Sequence, residues 1–281
     1  MDAHPEIGMG KVKETEYFNT NYEKGDEWYE SHFKNLETKK VVGEISNNYY
    51  LDAEVAKRIN NYNPNIKIII NVREPVNLLR SFYEFGKRRG LDLLPSIQDN
   101  LNEPIGKFMG SGYDYRLKRN MLVQTDKVSL FESVLLSNLL TPFLKTFPRE
   151  QVYIFIFERL RHDPDNVLKE IYSFLGVNPE FQPNLLEKVV NQSISPKSKF
   201  VAQLGSKLAF VLRRGGYYSL LSWMHKSVFI KRLLFRPLNN GASSPCASSG
   251  KLDRETLCIL SKEKQRLVSL IPELANYWES T

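Results

Sequence analysis

The stretch "IKIIINVREPVNLLRSFYEFGKRRG", residues 66–90, decides the fold class. Its first half is a continuous β-branched run. A strand apolar on both faces belongs inside a parallel sheet, with helices covering each side. Its second half opens with Pro75, in a helical first turn where a missing N–H costs nothing. Val76, Leu78, Leu79, Phe82 and Phe85 read as the apolar stripe of that helix. Lys87, Arg88 and Arg89 crowd the last turn and Gly90 ends it, as the dipole and C-cap preferences expect. Between the halves stands Arg73, followed by Glu74 and then Pro75.

The same design recurs in "QVYIFIFERLRHDPDNVLKEIYSFLGV", residues 151–177. Val152 to Phe157 reads as a second buried strand. Asp163 is expected to cap a helix with Pro164 at its first position, and Gly176 to close it. "KVVGEIS", residues 40–46, is a weaker strand. Strands alternating with helices give an α/β fold with a mainly parallel sheet. Residues 91–149 read as helical and loop-rich. The final helix carries Leu257, Leu260, Leu267, Leu270, Ile271 and Leu274, and Pro272 is expected to bend or end it. The chain reads as a single domain over 1–281, with 239–251 ("NNGASSPCASSGK") a flexible loop and 252–281 a C-terminal helical segment.

Composition narrows the function classes. Apolar residues make up 42% and charged residues 25% of the 281, so the chain can build a core of ordinary size. The net charge of +7 suits an anionic partner, and equally a solvated basic face. The two cysteines, Cys246 and Cys258, have no metal-type spacing, and the four histidines form no ligand pair. A disulfide closing the Cys246–Cys258 loop is one reading; two free thiols are the preferred one without a secretory signal. No apolar run approaches the roughly 20 residues that span a bilayer. The start has no signal-peptide pattern, which places the chain in the cytoplasm as an expectation.

In open α/β sheets, ligands bind beyond the carboxyl ends of the strands. Arg73 sits at that edge beside a helix N-terminus, where backbone N–H groups favour an anion. Its planar fork can grip a phosphate through two bonds. Ser81, about two turns on, can offer a hydroxyl. Local pattern leaves a second reading open, in which Arg73 pairs with Glu74 or another acid.

"KIIINVREPVNLLRSFYEF" resembles the 3′-phosphate-binding segment of sulfotransferases that use 3′-phosphoadenosine 5′-phosphosulfate (PAPS). "HPEI", "KETEYFN", "YEKGDEWYESHF" and "GEISNNYY" resemble, in order, the blocks after that family's first helix. "FPREQVYIFIFERLRHDPDNVLKEIYSFLGV" is similar to its late strand–helix unit, "NQSISPKSK" to the loop that closes over the nucleotide, and the terminal "YW" to its closing tryptophan. The similarity is greatest to the bacterial and heparan-sulfate type. It implies a P-loop-NTPase-like three-layer α/β/α fold and sulfuryl transfer from PAPS to a hydroxyl or amine of a glycan or lipid, without a metal.

By that resemblance Arg73 and Ser81 hold the donor's 3′-phosphate, Lys197 and Lys199 cover its phosphates, and Glu14 is the general base. The plain alternatives are solvated lysines at 197 and 199, and a Glu14 that pairs with Lys11 or Lys13. Glu16, read in a strand, would point to the face opposite Glu14. Glu44 falls at a strand end near the site. Ile45 stands where heparan-type enzymes often carry lysine, which removes a positive charge from the acceptor side. The basic amphipathic stretch 198–238 would dock a polysaccharide or make peripheral membrane contact, or else pack into the core with its charges solvated. His4 reads as structural.

The family's strand, Gly-rich loop and first helix would precede "HPEI", so a chain starting at Met1 is expected to lack the 5′-phosphosulfate loop and to be impaired. "GMGK" (8–11) and "GKFMGSG" (106–112) have the composition but no preceding strand, and neither reads as a substitute. A competing class is a non-catalytic relative that binds a nucleotide or an anionic glycan. A nucleic-acid-binding protein is the weakest reading, because no recognised module is present.

Overall fold

The computed structural model describes residues 1–88, 91, 93–109, 127–183, 194–196, 208, 235–237 and 251–278. Its strands are β1 (Ile7–Met9), β2 (Val41–Gly43), β3 (Ile68–Val72), β4 (Val152–Ile156), β5 (Ile194–Pro196) and β6 (Phe235–Pro237). Its α-helices, among the described residues, are α1 (Asp26–Glu30), α2 (Ala53–Tyr62), α3 (Pro75–Arg88), α4 (Ile105–Met109), α5 (Leu136–Thr146), α6 (Phe157–His162), α7 (Pro164–Leu175), α8 (Arg254–Leu270) and α9 (Ala275–Trp278). The chain falls into two compact units, one of residues 1–74, 136–188 and 263–281, the other of 75–135 and 189–262.

The first unit carries two parallel strand pairs. β1 pairs with β2 (Ile7 opposite Val41), and β3 with β4 (Ile68 opposite Val152, Val72 opposite Ile156). Successive side chains of a strand point to opposite faces, and the core follows that rule. Ile68, Ile70, Val152 and Ile154 join a cluster with Val55, Ala56 and Ile59 of α2 and with Phe143 and Phe147. Ile69, Tyr153 and Phe155 join the opposite cluster, with Val167, Ile171, Tyr172 and Leu175 of α7, and with Ile7 and Val41 of the other pair. Helices thus cover both faces, which is the three-layer α/β/α arrangement expected for double-sided apolar strands. Fully burying an aliphatic side chain such as Val55 or Val167 contributes about 1.5–3 kcal/mol.

Among the described residues, β2 is bonded only to β1, and β3 only to β4. The free edges leave apolar side chains open: Val42 is 43% exposed, and Ile68, Ile69 and Ile70 are half-buried.

Several local expectations need correction. β2 stops at Gly43 rather than Ser46. β4 ends at Ile156, and Phe157 begins the six-residue helix α6, which is too short to write a 3.6-residue period into the sequence. Asp163 does occupy the N-cap of α7, but its carboxylate accepts from Asn166 Nδ2 at 3.0 Å instead of from a backbone N–H. Gly176 closes α7 in the left-handed conformation (φ 79°), with its own N–H and that of Val177 returned to Ser173 and Tyr172. "GMGK" is itself strand: Gly8 and Met9 belong to β1, and Gly10 N–H donates to Gly43 O at 3.1 Å. Its glycines serve packing, since a Cβ on Gly10 would lie 2.9 Å from Phe33 and one on Gly8 3.0 Å from Lys39.

In the second unit, α3 opens at Pro75 as its sequence dictates. Its buried face is Leu79 and Tyr83, while Phe85 is 38% exposed. The stripe therefore advances by four residues, and Tyr83 anchors it by donating to the carbonyls of Leu94 and Pro95 at 3.0 and 2.9 Å. β5 and β6 form a short antiparallel pair. Residues 89 and 90, the basic stretch 198–238 apart from residues 208 and 235–237, the segment 239–250, and Cys246 lie outside the described residues. Cys258 is free and exposed.

α8 ends at Leu270, and Pro272 opens a 3₁₀ turn, as the proline requires. Within the first unit its buried Glu263 accepts from Ser137 N–H and Oγ–H, both at 2.7 Å, and so caps the start of α5.

Candidate active site

Each candidate side chain of the first unit follows the carboxyl end of a parallel strand. Lys11 to Tyr17 follow β1, Glu44 follows β2, Arg73 follows β3, and Phe157 and Glu158 follow β4. That edge is where open α/β sheets bind ligands.

The register of β3 on β4 places Val72 opposite Ile156, which brings the next residues, Arg73 and Phe157, together. The Arg73 guanidinium carbon lies 4.5 Å from the centre of the Phe157 ring. Glu158 is engaged elsewhere: one oxygen accepts from Glu74 N–H at 3.2 Å, the other from Trp278 Nε1 at 3.3 Å. Among the described residues Arg73 forms no ion pair, and its buried Nε has no hydrogen-bond partner. Burial pulls its pKa below the usual arginine value; Glu158 opposes this, Arg161 reinforces it, and Glu74 opposes it. A guanidinium desolvated without a carboxylate partner is costly unless an anion is supplied. The reading in which Arg73 pairs with Glu74 is not what the structure contains.

A second cluster surrounds Glu14. Glu14 and Glu16 do not lie in a strand. Both take left-handed backbone angles, φ 61° and φ 48°, with buried Thr15 between them. Two such residues cost on the order of 1–3 kcal/mol each and persist only where their surroundings fix them. The segment after β2 does the fixing. Glu14 N–H donates to Ile45 O at 3.0 Å, and Glu16 N–H to Ser46 Oγ at 3.2 Å. The Glu14 carboxylate is exposed and accepts from Asn47 Nδ2 at 2.8 Å, while Glu16 accepts from Asn48 Nδ2 at 3.2 Å. Asn47 therefore takes the place expected for Lys11 or Lys13.

Beneath the turn, Glu44 accepts from the hydroxyls of Thr15, Tyr49 (2.5 Å), Ser46 (3.2 Å) and Tyr29 (3.4 Å). Burial first, and then Glu44, hold both tyrosine pKa values well above the ordinary phenol range, so these hydroxyls remain donors.

The remaining candidates fall as follows. Ser81 lies half-buried on α3 in the second unit. Lys197 and Lys199 lie outside the described residues. His4 is buried; its Nδ1 accepts from Glu6 N–H, so Nε2 carries the proton and donates to Asn178 O at 3.0 Å, a structural role. Among the described residues no group of three His, Cys, Asp or Glu side chains is placed to hold a metal ion, and no helix is long and apolar enough to cross a membrane.

Phe157 and Glu158 were not singled out as site residues from sequence. Their signal was present: two adjacent strands of equal length, "IIINV" and "VYIFI", put the residue after one beside the residue after the other.

The sulfotransferase-domain family model matches residues 12–208, more than half of the chain. The chain belongs to the sulfotransferase family. This sulfotransferase is 25% identical over 289 residues to the membrane-associated sulfotransferase kil1 of Dictyostelium discoideum, covering 76% of this chain and 61% of that one. It is 30% identical over 174 residues to the mouse bifunctional heparan sulfate N-deacetylase/N-sulfotransferase 4, covering 60% of this chain and 19% of that one. With mouse heparan sulfate glucosamine 3-O-sulfotransferase 5 the identity is 28% over 184 residues, covering 64% and 49%. The chain thus spans less than two thirds of the length of each of these relatives. Among solved structures, a sulfotransferase from Alicyclobacillus acidocaldarius superposes with a TM-score of 0.51 at 22% identity, covering 82% of this chain and 90% of that one, a likeness of fold.

Proposed function

We propose that this sulfotransferase uses PAPS as donor and sulfates a hydroxyl or amine of a glycan or lipid, with Arg73 and Ser81 holding the donor's 3′-phosphate, Lys197 covering its phosphates and Glu14 as general base. The observation that carries the reading is Arg73, seated on Phe157 and, among the described residues, with a buried, unpartnered Nε and no ion pair. A dianionic phosphate fits it, because a guanidinium fork can meet two of its oxygens at once. Two mouse relatives are heparan sulfate sulfotransferases, which favours a glycan acceptor.

The donor supplies a sulfuryl group joined to a phosphate that leaves readily. Sulfuryl transfer resembles phosphoryl transfer, in which position and charge do most of the work. Arg73 neutralises charge at the ribose end and so fixes the register of the nucleotide. Glu14, exposed, takes the proton of the acceptor group as that group attacks; general bases of this kind supply about 10²–10⁴-fold. Asn47, bonded to Glu14, orients the carboxylate.

Calorimetric titration with adenosine 3′,5′-bisphosphate tests the donor site. Saturable binding that disappears in Arg73→Ala supports it; equal binding by both proteins refutes it. Transfer of labelled sulfate, abolished by Glu14→Gln, then separates an enzyme from a relative that only binds.

A further inference from the structure

We infer that Glu44 is a positioning residue: by anchoring Thr15 from below, it sets the turn on which Glu14 projects. The inference rests on Glu14 acting as the base.

The geometry isolates Thr15 as the pivot. Its side chain is buried between two left-handed glutamates. Its hydroxyl donates to Glu44 and also accepts the N–H of Tyr17 at 3.3 Å, while its carbonyl accepts from Asn21 Nδ2 at 2.7 Å. Glu44 is held in turn by Tyr49, Ser46 and Tyr29, each donating a hydroxyl hydrogen. The carboxylate that receives these four hydroxyls lies on one side of the turn, and the Glu14 carboxylate stands exposed beyond it. Neither glutamate shares a hydrogen bond with the other, so Glu44 acts on Glu14 through the backbone at Thr15.

Left-handed glutamates have no steric reason to stay where they are. Remove the anchor and residues 14–16 relax toward ordinary backbone angles, carrying the Glu14 carboxylate away from Asn47. A shift of about 1 Å in a reacting group costs on the order of 100-fold in rate. Donor binding at Arg73 does not pass through this network and is left intact.

The test uses the full chain. In Glu44→Gln, amide hydrogen exchange at Glu14, Glu16 and Tyr17 is expected to quicken by about 10-fold, roughly the worth of one hydrogen bond. Exchange in β3 and β4 and affinity for adenosine 3′,5′-bisphosphate stay unchanged. Thr15→Val reproduces the exchange change and Thr15→Ser restores protection, which also covers the case in which Glu44→Gln fails to fold. In labelled-sulfate transfer, Glu44→Gln lowers kcat by about 100-fold with both KM values unchanged, and adds nothing in a Glu14→Gln background. Unchanged exchange in both Glu44→Gln and Thr15→Val overturns the inference, as does a kcat loss that multiplies with that of Glu14→Gln. If transfer is below detection in every protein, the exchange result decides. If Glu14→Gln keeps the wild-type kcat, it is the assignment of the base that fails, and Glu44 is then left as an anchor of the turn alone.

Discussion

The Arg73 corner and the Glu14 turn both follow the carboxyl ends of parallel strands, yet they are built in opposite ways. At Arg73 everything regular converges: strand register sets the neighbour, Pro75 starts the next helix, and Phe157 supplies a flat seat. No strained residue is needed. The Glu14 turn has almost no regular structure. It holds two left-handed glutamates by a mesh of hydroxyls, amides and one buried-side carboxylate. A binding corner tolerates a stiff, repetitive frame, because a phosphate needs only charge and reach. A base, the role proposed for Glu14, must stand at one place relative to a reacting atom, and the two left-handed residues at this turn fix the backbone that carries it.

That contrast can be broken by substitution. The largest effect is expected at the turn: Glu14→Gln lowers kcat by about 10²–10⁴-fold, with bisphosphate affinity unaltered by calorimetry. A parallel loss of affinity would mean that the two regions are one site and the contrast false. Next comes Arg73→Ala, expected to weaken bisphosphate binding by more than about 100-fold, since charge-assisted hydrogen bonds are worth about 1.5–3 kcal/mol each. Its thermal stability should change little, because removing a half-buried guanidinium with no ion pair among the described residues is offset by losing its contact with Phe157. Phe157→Leu probes the seat: a cation over an aromatic ring gains about 0.5–2 kcal/mol, so affinity should fall by roughly 2- to 30-fold. The smallest effect is Glu14→Gly, which relieves the φ of 61°. It should raise stability by about 1 kcal/mol in denaturant unfolding, even as catalysis is lost; a clear destabilisation would show that the turn is not strained.

The same contrast explains what the sequence could tell. "KIIINV" and "VYIFIF" carry their double-sided burial in plain apolar runs, and Pro75, Pro164, Gly176 and Pro272 mark helix ends by backbone chemistry alone. Arg73 was legible because its position is fixed by those signals. Glu14 was reachable through family resemblance, but its left-handed backbone was not, since nothing in "KETEYF" favours φ above zero. The Glu44 network joins residues 29 apart in the chain, and hydroxyls leave no periodic mark. α6 escaped for a simpler reason, being shorter than two turns. The α3 stripe included Phe85, which is exposed, and left out Tyr83, whose ring is buried because its hydroxyl finds two carbonyls.

Arg73, which forms no ion pair among the described residues, is proposed to hold a nucleotide's 3′-phosphate. A crystal structure of the chain with adenosine 3′,5′-bisphosphate tests it most directly. The account predicts two phosphate oxygens at about 2.7–2.9 Å from the Arg73 guanidinium, with Phe157 still beneath it. A guanidinium swung onto Glu158, with the nucleotide's phosphate held elsewhere, would contradict it.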